Sequence, residues 1–78
     1  PMPMAAEQIE TLIRAALPDA RIEIRDLAGD GDHYAATVVS AAFAGLPKDR
    51  QHQLVYKALG GRMGGELHAL QLTTAAPQ

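Results

Sequence analysis

The stretch RIEIRDLAGDGDHYAATVVS, residues 21–40, decides the fold. Its first five residues alternate between charged side chains and isoleucine, which is typical of a strand with one buried face. Residues 27–32 form a turn cluster, because Gly29 and Gly31 can adopt positive φ angles. The valine- and threonine-rich residues 33–40 predict a second strand. Two strands joined by so short a loop indicate an antiparallel hairpin.

A helix is predicted before the hairpin, because apolar residues recur there at three- and four-residue spacing. These residues are Ala6, Ile9, Leu12, Ile13, Ala16 and Leu17. Pro18 ends the helix, since the residue before a proline avoids helical geometry.

A second helix and a third strand are predicted after the hairpin. Residues 41–47 form a connector, and Pro47 suits the first turn of a helix. The predicted helical stripe consists of Gln51, Leu54, Val55, Ala58, Leu59 and Met63. A glycine-rich segment from Gly60 ends the helix. Residues 67–73 read as a short strand, and residues 74–78 as a loose, flexible tail.

The order helix, strand, strand, helix, strand predicts a small α/β domain. A helical crossover brings the third strand in parallel to the second, which gives a three-stranded mixed sheet with both helices on one face. This layout matches that of small type II KH-like domains. Residues 1–78 are predicted to form a single domain whose ordered core spans about residues 5–73. The predicted core consists of Ile9, Leu12, Ile13, Leu17, Ile22, Ile24, Val38, Phe43, Leu54, Val55, Leu59 and Leu70.

The composition excludes several function classes. The chain contains no cysteine, so disulfides, thiol nucleophiles and all-cysteine metal sites are excluded. Its aromatic residues, Tyr34, Phe43 and Tyr56, are too few for a base-stacking platform. Because no Ser/His/Asp order, HExxH motif or P-loop lysine occurs, the chain is predicted not to be an enzyme. No apolar run is long enough to span a bilayer, and the lack of a signal peptide predicts a cytoplasmic location.

Three stretches of the chain resemble the BolA family. The first is GDGDHY at residues 29–34, which leads into the valine-rich strand. The second is F-x-G at residues 43–45, followed by H-x-x-V-Y-x-x-L at residues 52–59. The third is LHAL at residues 67–70. The glycine loop is most similar to the acid-stress branch of the family, whereas His52 matches the other branch, so the branch is left open.

The resemblance implies a KH-like fold and two functions. The leading expectation is an adaptor that binds a monothiol (CGFS) glutaredoxin, sharing a [2Fe–2S] cluster with it and with glutathione, in iron–sulfur homeostasis and stress response. The alternative is a DNA-binding transcriptional regulator that uses the second helix. A weak homodimer is a further expected association, and no membrane partner is expected.

His33 and His68 are the predicted metal ligands. Imidazole suits iron, and histidine replaces cysteine at one iron of Rieske-type clusters. Two imidazoles cannot complete a cluster site, so the isolated chain is expected not to hold the cluster. The resemblance implies that the partner and glutathione add the sulfur ligands. In the alternative reading, His68 packs on the side of Leu70 and Leu72, and His33 merely flanks a turn. His52 is predicted to be a helix-surface residue.

Basic residues near the second helix are the candidate nucleic-acid contacts. They are Lys48, Arg50, Lys57 and Arg62, within a chain whose net charge is −2. Each could add a salt-dependent attraction to phosphate. The same residues could instead form a solvated helix face or dock a protein partner. The segment 61–64 spells GxxG, but its place between a helix and the last strand favours a helix end over an RNA clamp.

Overall fold

The computed structural model of the chain describes residues 5–29, 33–60 and 69–78. The elements are helix α1 (Ala6–Ala16), strands β1 (Arg21–Asp26) and β2 (His33–Val39), a 3-10 turn (Ala41–Phe43), helix α2 (Lys48–Leu59) and strand β3 (Ala69–Ala75). Their order is the predicted one. Some predictions concern residues outside the described ranges. They are the part of the turn at residues 30–32, the GxxG segment at residues 61–64 with Arg62 and Met63, and the start of the third strand at Leu67 and His68. No helix in the described ranges is long and apolar enough to cross a bilayer.

The three strands form one mixed sheet in the order β1-β2-β3. β1 pairs antiparallel with β2, with Ile22 opposite Val38, so the predicted hairpin is confirmed. β2 pairs in parallel with β3, with Tyr34 opposite Leu70. The parallel pairing is what a helical crossover between β2 and β3 requires, and the predicted mixed sheet is confirmed.

The helix boundaries follow the proline and glycine signals of the sequence. α1 ends just before Pro18, where the Leu17 N–H donates to the Ile13 carbonyl at 2.8 Å. Pro47 is the N-cap of α2, in extended conformation. Gly60 caps the other end with φ of 61°, a left-handed conformation that glycine adopts at no steric cost. The prediction that glycine stops this helix is confirmed at Gly60.

One apolar core joins the two helices to one face of the sheet. Seven predicted members are buried, namely Ile9, Ile13, Leu17, Val38, Phe43, Val55 and Leu59. The other five predicted members are half-buried and pack against them, namely Leu12, Ile22, Ile24, Leu54 and Leu70. The structure adds Tyr34 and Ala20 to the core. Tyr34 is buried because it shares the helix-facing side of β2 with Val38.

The predicted loose tail begins too early. β3 continues to Ala75, whose carbonyl accepts a hydrogen bond from the Ser40 N–H at 3.1 Å. Thr74 is only 1% exposed, and its hydroxyl donates to Oε1 of Gln51 at 2.7 Å. A polar side chain can be buried there because α2 supplies a hydrogen-bonding partner. Residues 74 and 75 therefore belong to the sheet and not to a flexible tail.

Candidate functional site

The hairpin places His33 at one end of the sheet. The His33 carbonyl accepts a hydrogen bond from the Leu27 N–H at 2.7 Å, which closes the ladder at this end. The Gly29 N–H donates to Oδ1 of Asp26 at 2.9 Å, and Gly29 has a φ of 70°. This Asx-type contact and the positive φ bend the chain away from β1. His33 is therefore held by backbone geometry as the first residue of β2, and its side chain is exposed.

The parallel ladder brings the start of β3 to the same end. His33 is the register partner of Ala69, the first residue of β3. His68 precedes Ala69 in the sequence and lies outside the described residues. The structure therefore places the chain neighbour of His68 beside His33, and the shared site of the two histidines stays a prediction.

Gln51, the residue before His52, is hydrogen-bonded to the end of the sheet opposite to His33. Its partner there is Thr74, which lies five residues along β3 from Ala69. At the rise of a strand, that separation is about 16 Å. The side chain of His52 is half-buried on α2, which is more enclosed than the helix surface that was predicted. This position separates His52 from His33, and the exclusion of His52 from the ligands stays a prediction.

The described residues do not make a metal site by themselves. Within the described ranges, no group of three or more histidine, cysteine or carboxylate side chains is close enough to hold one ion. A [2Fe–2S] cluster needs four ligands, and the chain has no cysteine to contribute. His33, as an exposed imidazole at the sheet end, fits the role of one ligand in a set completed by other molecules.

The structure describes three of the four predicted basic residues, which are Lys48, Arg50 and Lys57. The Lys48 ammonium donates to the Thr74 carbonyl, so it ties the first turn of α2 to β3. Arg50 and Lys57 are exposed, and their seven-residue spacing puts them on one side of α2, about 10.5 Å apart along its axis. Arg62 lies outside the described residues. Lys48, Arg50 and Lys57 are all exposed on α2, and Lys48 is the one of these three that is hydrogen-bonded to β3.

A buried polar contact connects α2 to β3 and to the connector before the helix. Nε2 of Gln51 donates to the Leu46 carbonyl at 2.8 Å and to the Phe43 carbonyl at 3.4 Å. Oε1 of the same amide accepts the Thr74 hydroxyl. Gln51 lies on the predicted stripe of the helix among apolar residues, and its sequence context predicted no partner for it. A glutamine within an apolar stripe is the signal that could have revealed this buried contact.

A second polar contact joins the loop after α1 to the end of β2. The Asp19 carboxylate accepts the Ala41 N–H and the Ser40 hydroxyl, each at 2.8 Å. These two hydrogen bonds, with the Ala41 N–H the stronger influence, hold the pKa of the exposed Asp19 carboxyl below its ordinary value of 3.8. Ser40 is fully buried, and its hydroxyl oxygen also accepts the Ala42 N–H at 3.1 Å. No motif of the sequence pointed to this contact, because its partners are more than twenty residues apart.

The comparisons with known proteins agree with this architecture. Residues 13–78 match the family described as BolA-like protein. The uncharacterized protein RP812 of Rickettsia prowazekii is 38% identical over 73 residues, which cover 94% of this chain and 95% of the relative. The structure of a BolA protein homologue from Coxiella burnetii superposes with a TM-score of 0.78 at 35% identity, covering 95% of this chain and 92% of that one.

One further relative carries a functional name. The DNA-binding transcriptional regulator BolA of Vibrio cholerae is 38% identical over 50 residues, which cover 64% of this chain and 47% of the relative. The family match over most of the chain, the RP812 relative of similar length and the shared helix and strand arrangement all agree. The chain therefore belongs to the BolA family.

Proposed function

We propose that this chain is an adaptor that binds a monothiol glutaredoxin and supplies histidine ligands to a [2Fe–2S] cluster shared with that partner. Its role would lie in iron–sulfur homeostasis and stress response. His33 and His68 are the proposed ligands. The observation that carries the proposal is the pairing of His33 with Ala69, because His68 is the residue directly before Ala69.

The ligand chemistry explains why a partner is required. Two neutral imidazole nitrogens can bind iron, but the remaining ligands must come from molecules that carry sulfur. A glutaredoxin cysteine and a glutathione thiol would supply them. Histidine ligation raises the reduction potential of a [2Fe–2S] centre relative to all-cysteine ligation. The adaptor would thus change both the absorption and the potential of the glutaredoxin cluster.

The test is cluster assembly with and without each histidine. The chain is mixed with a monothiol glutaredoxin, glutathione, iron and sulfide, and the visible absorption and circular dichroism of the cluster are recorded. Wild type should shift the spectrum of the glutaredoxin cluster, His68→Ala should abolish the shift and His33→Ala should reduce it. The shift should also fade as pH falls, since protonated imidazole cannot ligate.

His52→Ala is the matched control, because it removes an imidazole that lies away from the sheet end of His33. It should leave the spectral shift unchanged. If His68→Ala gives the wild-type spectrum, the proposed ligand set is wrong. Binding of the two proteins is measured in parallel by calorimetry without iron, so that loss of the cluster can be distinguished from loss of the complex.

DNA binding is the second candidate function, and two observations favour it. One relative is a DNA-binding transcriptional regulator. Arg50 and Lys57 are exposed on one side of α2 in this chain. Phosphate contacts release counterions, so each contact adds about 0.9 to the slope of log K against log salt. Because the Lys48 ammonium is hydrogen-bonded to β3, contacts by Arg50, Lys57 and Arg62 predict a slope of no more than about 3 in magnitude.

The DNA candidate is tested by fluorescence anisotropy with a labelled duplex at several salt concentrations. Arg50→Gln and Lys57→Gln should each weaken binding and lower the slope by about 1. Arg14→Gln is the control, because Arg14 is paired with Glu10 on α1. Absence of binding at low salt, or a response that does not depend on salt, would count against this function.

A further inference from the structure

The outer edge of β1 presents backbone groups that no strand of the described chain occupies. The Leu27 N–H donates to the His33 carbonyl, and hydrogen-bonded pairs recur at every second residue of an antiparallel ladder. Glu23 therefore also bonds to β2, whereas Ile22 and Ile24 direct their backbone N–H and C=O groups away from it. Since β1 is an edge strand, these groups are a template for another strand.

Charges of alternating sign line the solvent face of this edge strand. Arg21, Glu23 and Arg25 are exposed and lie on the side of the sheet opposite the helices. Within the part of the chain that the structure describes, the ion pair is that of Arg14 with Glu10, and none of these three residues takes part in one. Both signs of charge on β1 are thus available to a partner strand.

Two antiparallel copies of β1 can overlap by five strand residues in two ways. In the register centred on Glu23, Glu23 of one copy faces Glu23 of the other, and Arg21 faces Arg25. Like charges directly opposite are destabilising. In the register centred on Ile24, Glu23 of each copy faces Arg25 of the other, and Ile24 faces Ile24. Registers centred on Ile22 or Arg25 overlap by only three strand residues.

The backbone is compatible with both registers, so the charge pairing is what favours the register centred on Ile24. The outward groups of Ile22 and Ile24 become hydrogen-bonded positions, so Glu23 and Arg25, on either side of Ile24, occupy non-hydrogen-bonded positions. Side chains of opposing residues approach most closely at such positions. The half-buried side chains of Ile22 and Ile24 lie on the helix-facing side, where pairing would remove more of their apolar surface from water.

We propose that two copies of this chain associate through β1, antiparallel and centred on Ile24, so that one six-stranded sheet runs across the dimer. Charged side chains on an edge usually prevent pairing. On β1 the alternation of sign makes the same side chains repel in the register centred on Glu23 and attract in the register centred on Ile24. The proposal does not depend on the cluster or on DNA, since it rests on β1 alone.

A charge-reversal cycle tests the register by sedimentation velocity. Glu23→Arg alone, or Arg25→Glu alone, places like charges opposite each other twice in the dimer, so each should weaken self-association by about tenfold or more. An equimolar mixture of the two variants restores both opposite-charge pairs and should form a heterodimer. The double variant, which carries both changes, should self-associate as wild type does. Wild type should show association between about 10 µM and about 1 mM, the range of weak interfaces.

Arg21→Glu is the matched control, because in this register Arg21 faces Leu27 of the other copy. It should change the dissociation constant by no more than about threefold, the size of an exposed charge effect. The register centred on Glu23 gives a different outcome, since Arg25→Glu would then face Arg21 and strengthen association. A wild type that stays monomeric at about 1 mM, or variants that fail to form the heterodimer while melting at the wild-type temperature, would overturn the proposal.

Discussion

Replacing Thr74 by valine tests whether the end of β3 is a structural part of the domain. The substitution keeps the branched shape and removes the hydroxyl that donates to Gln51 at 2.7 Å. Thr74 is 1% exposed and Gln51 is 6% exposed, so water cannot replace the lost donor without opening the contact. The amide oxygen of Gln51 would be left buried without this partner.

The magnitude follows from that burial. A buried acceptor left without a partner costs about 1–3 kcal/mol, more than the net value of an average hydrogen bond. Valine favours strands slightly more than threonine does, which offsets a small part of the loss. We expect Thr74→Val to lower the free energy of unfolding by about 1–3 kcal/mol. In a domain of this size, each kcal/mol corresponds to about 4–8 °C in the melting temperature.

The assay is urea denaturation followed by far-ultraviolet circular dichroism, with Thr73→Val as the control. Thr73 is the exposed neighbour of Thr74 in the same strand, so its substitution should change stability by less than about 0.5 kcal/mol. Thr74→Val and Gln51→Ala should also be non-additive, because they remove the same hydrogen bond. Equal stabilities of the two valine variants would refute the structural role assigned to Thr74.

Two further perturbations test the core and the loop contact. Leu59→Ala should lower the free energy of unfolding by about 2–5 kcal/mol, since Leu59 is fully buried. Leu54→Ala should lower it less, because Leu54 is half-buried. Equal urea midpoints for the two variants would contradict this packing. The pKa of Asp19 is lowered in the folded state, so its contribution to stability is present above its unfolded-state value near 3.8 and is lost as pH falls through the folded value. The free energy of unfolding of Asp19→Asn should therefore fall less steeply with decreasing pH than that of wild type. Denaturation curves recorded at a series of low pH values measure this. If both proteins lose stability equally, Asp19 does not contribute to the acid dependence.

The order and type of the elements could be predicted from the sequence because they depend on local patterns. The alternation of residues 21–25 predicted β1, and the spacing of Ile9 and Ile13 predicted the buried side of α1. Pro18 and Gly60 act through their own backbone geometry, so the helix ends could be predicted too. The three-stranded mixed sheet then followed from the crossover rule without knowledge of any side-chain contact.

The polar contacts could not be predicted, because each joins residues that are distant in the sequence. Thr74 looks like a tail residue until Gln51 of α2 lies beside it, and Asp19 looks like a turn residue until Ser40 and Ala41 bind it. Lys48 likewise counts as a free cation in the sequence and is tied to β3 in the structure. Burial and hydrogen bonding depend on what packs nearby, and local periodicity carries no information about that.

The candidate site also combines features that the sequence determines with features that depend on the tertiary structure. The sequence determined that the chain has no thiol and that histidine is its best ligand for iron, since those are properties of the residues themselves. The pairing of His33 with Ala69 is a matter of strand register, and so is the exposure of the outward groups of Ile22 and Ile24 on the sheet edge. Register is fixed by which side chains the helices bury, because a shift of one residue would move every side chain to the other face. Only the tertiary structure could decide it.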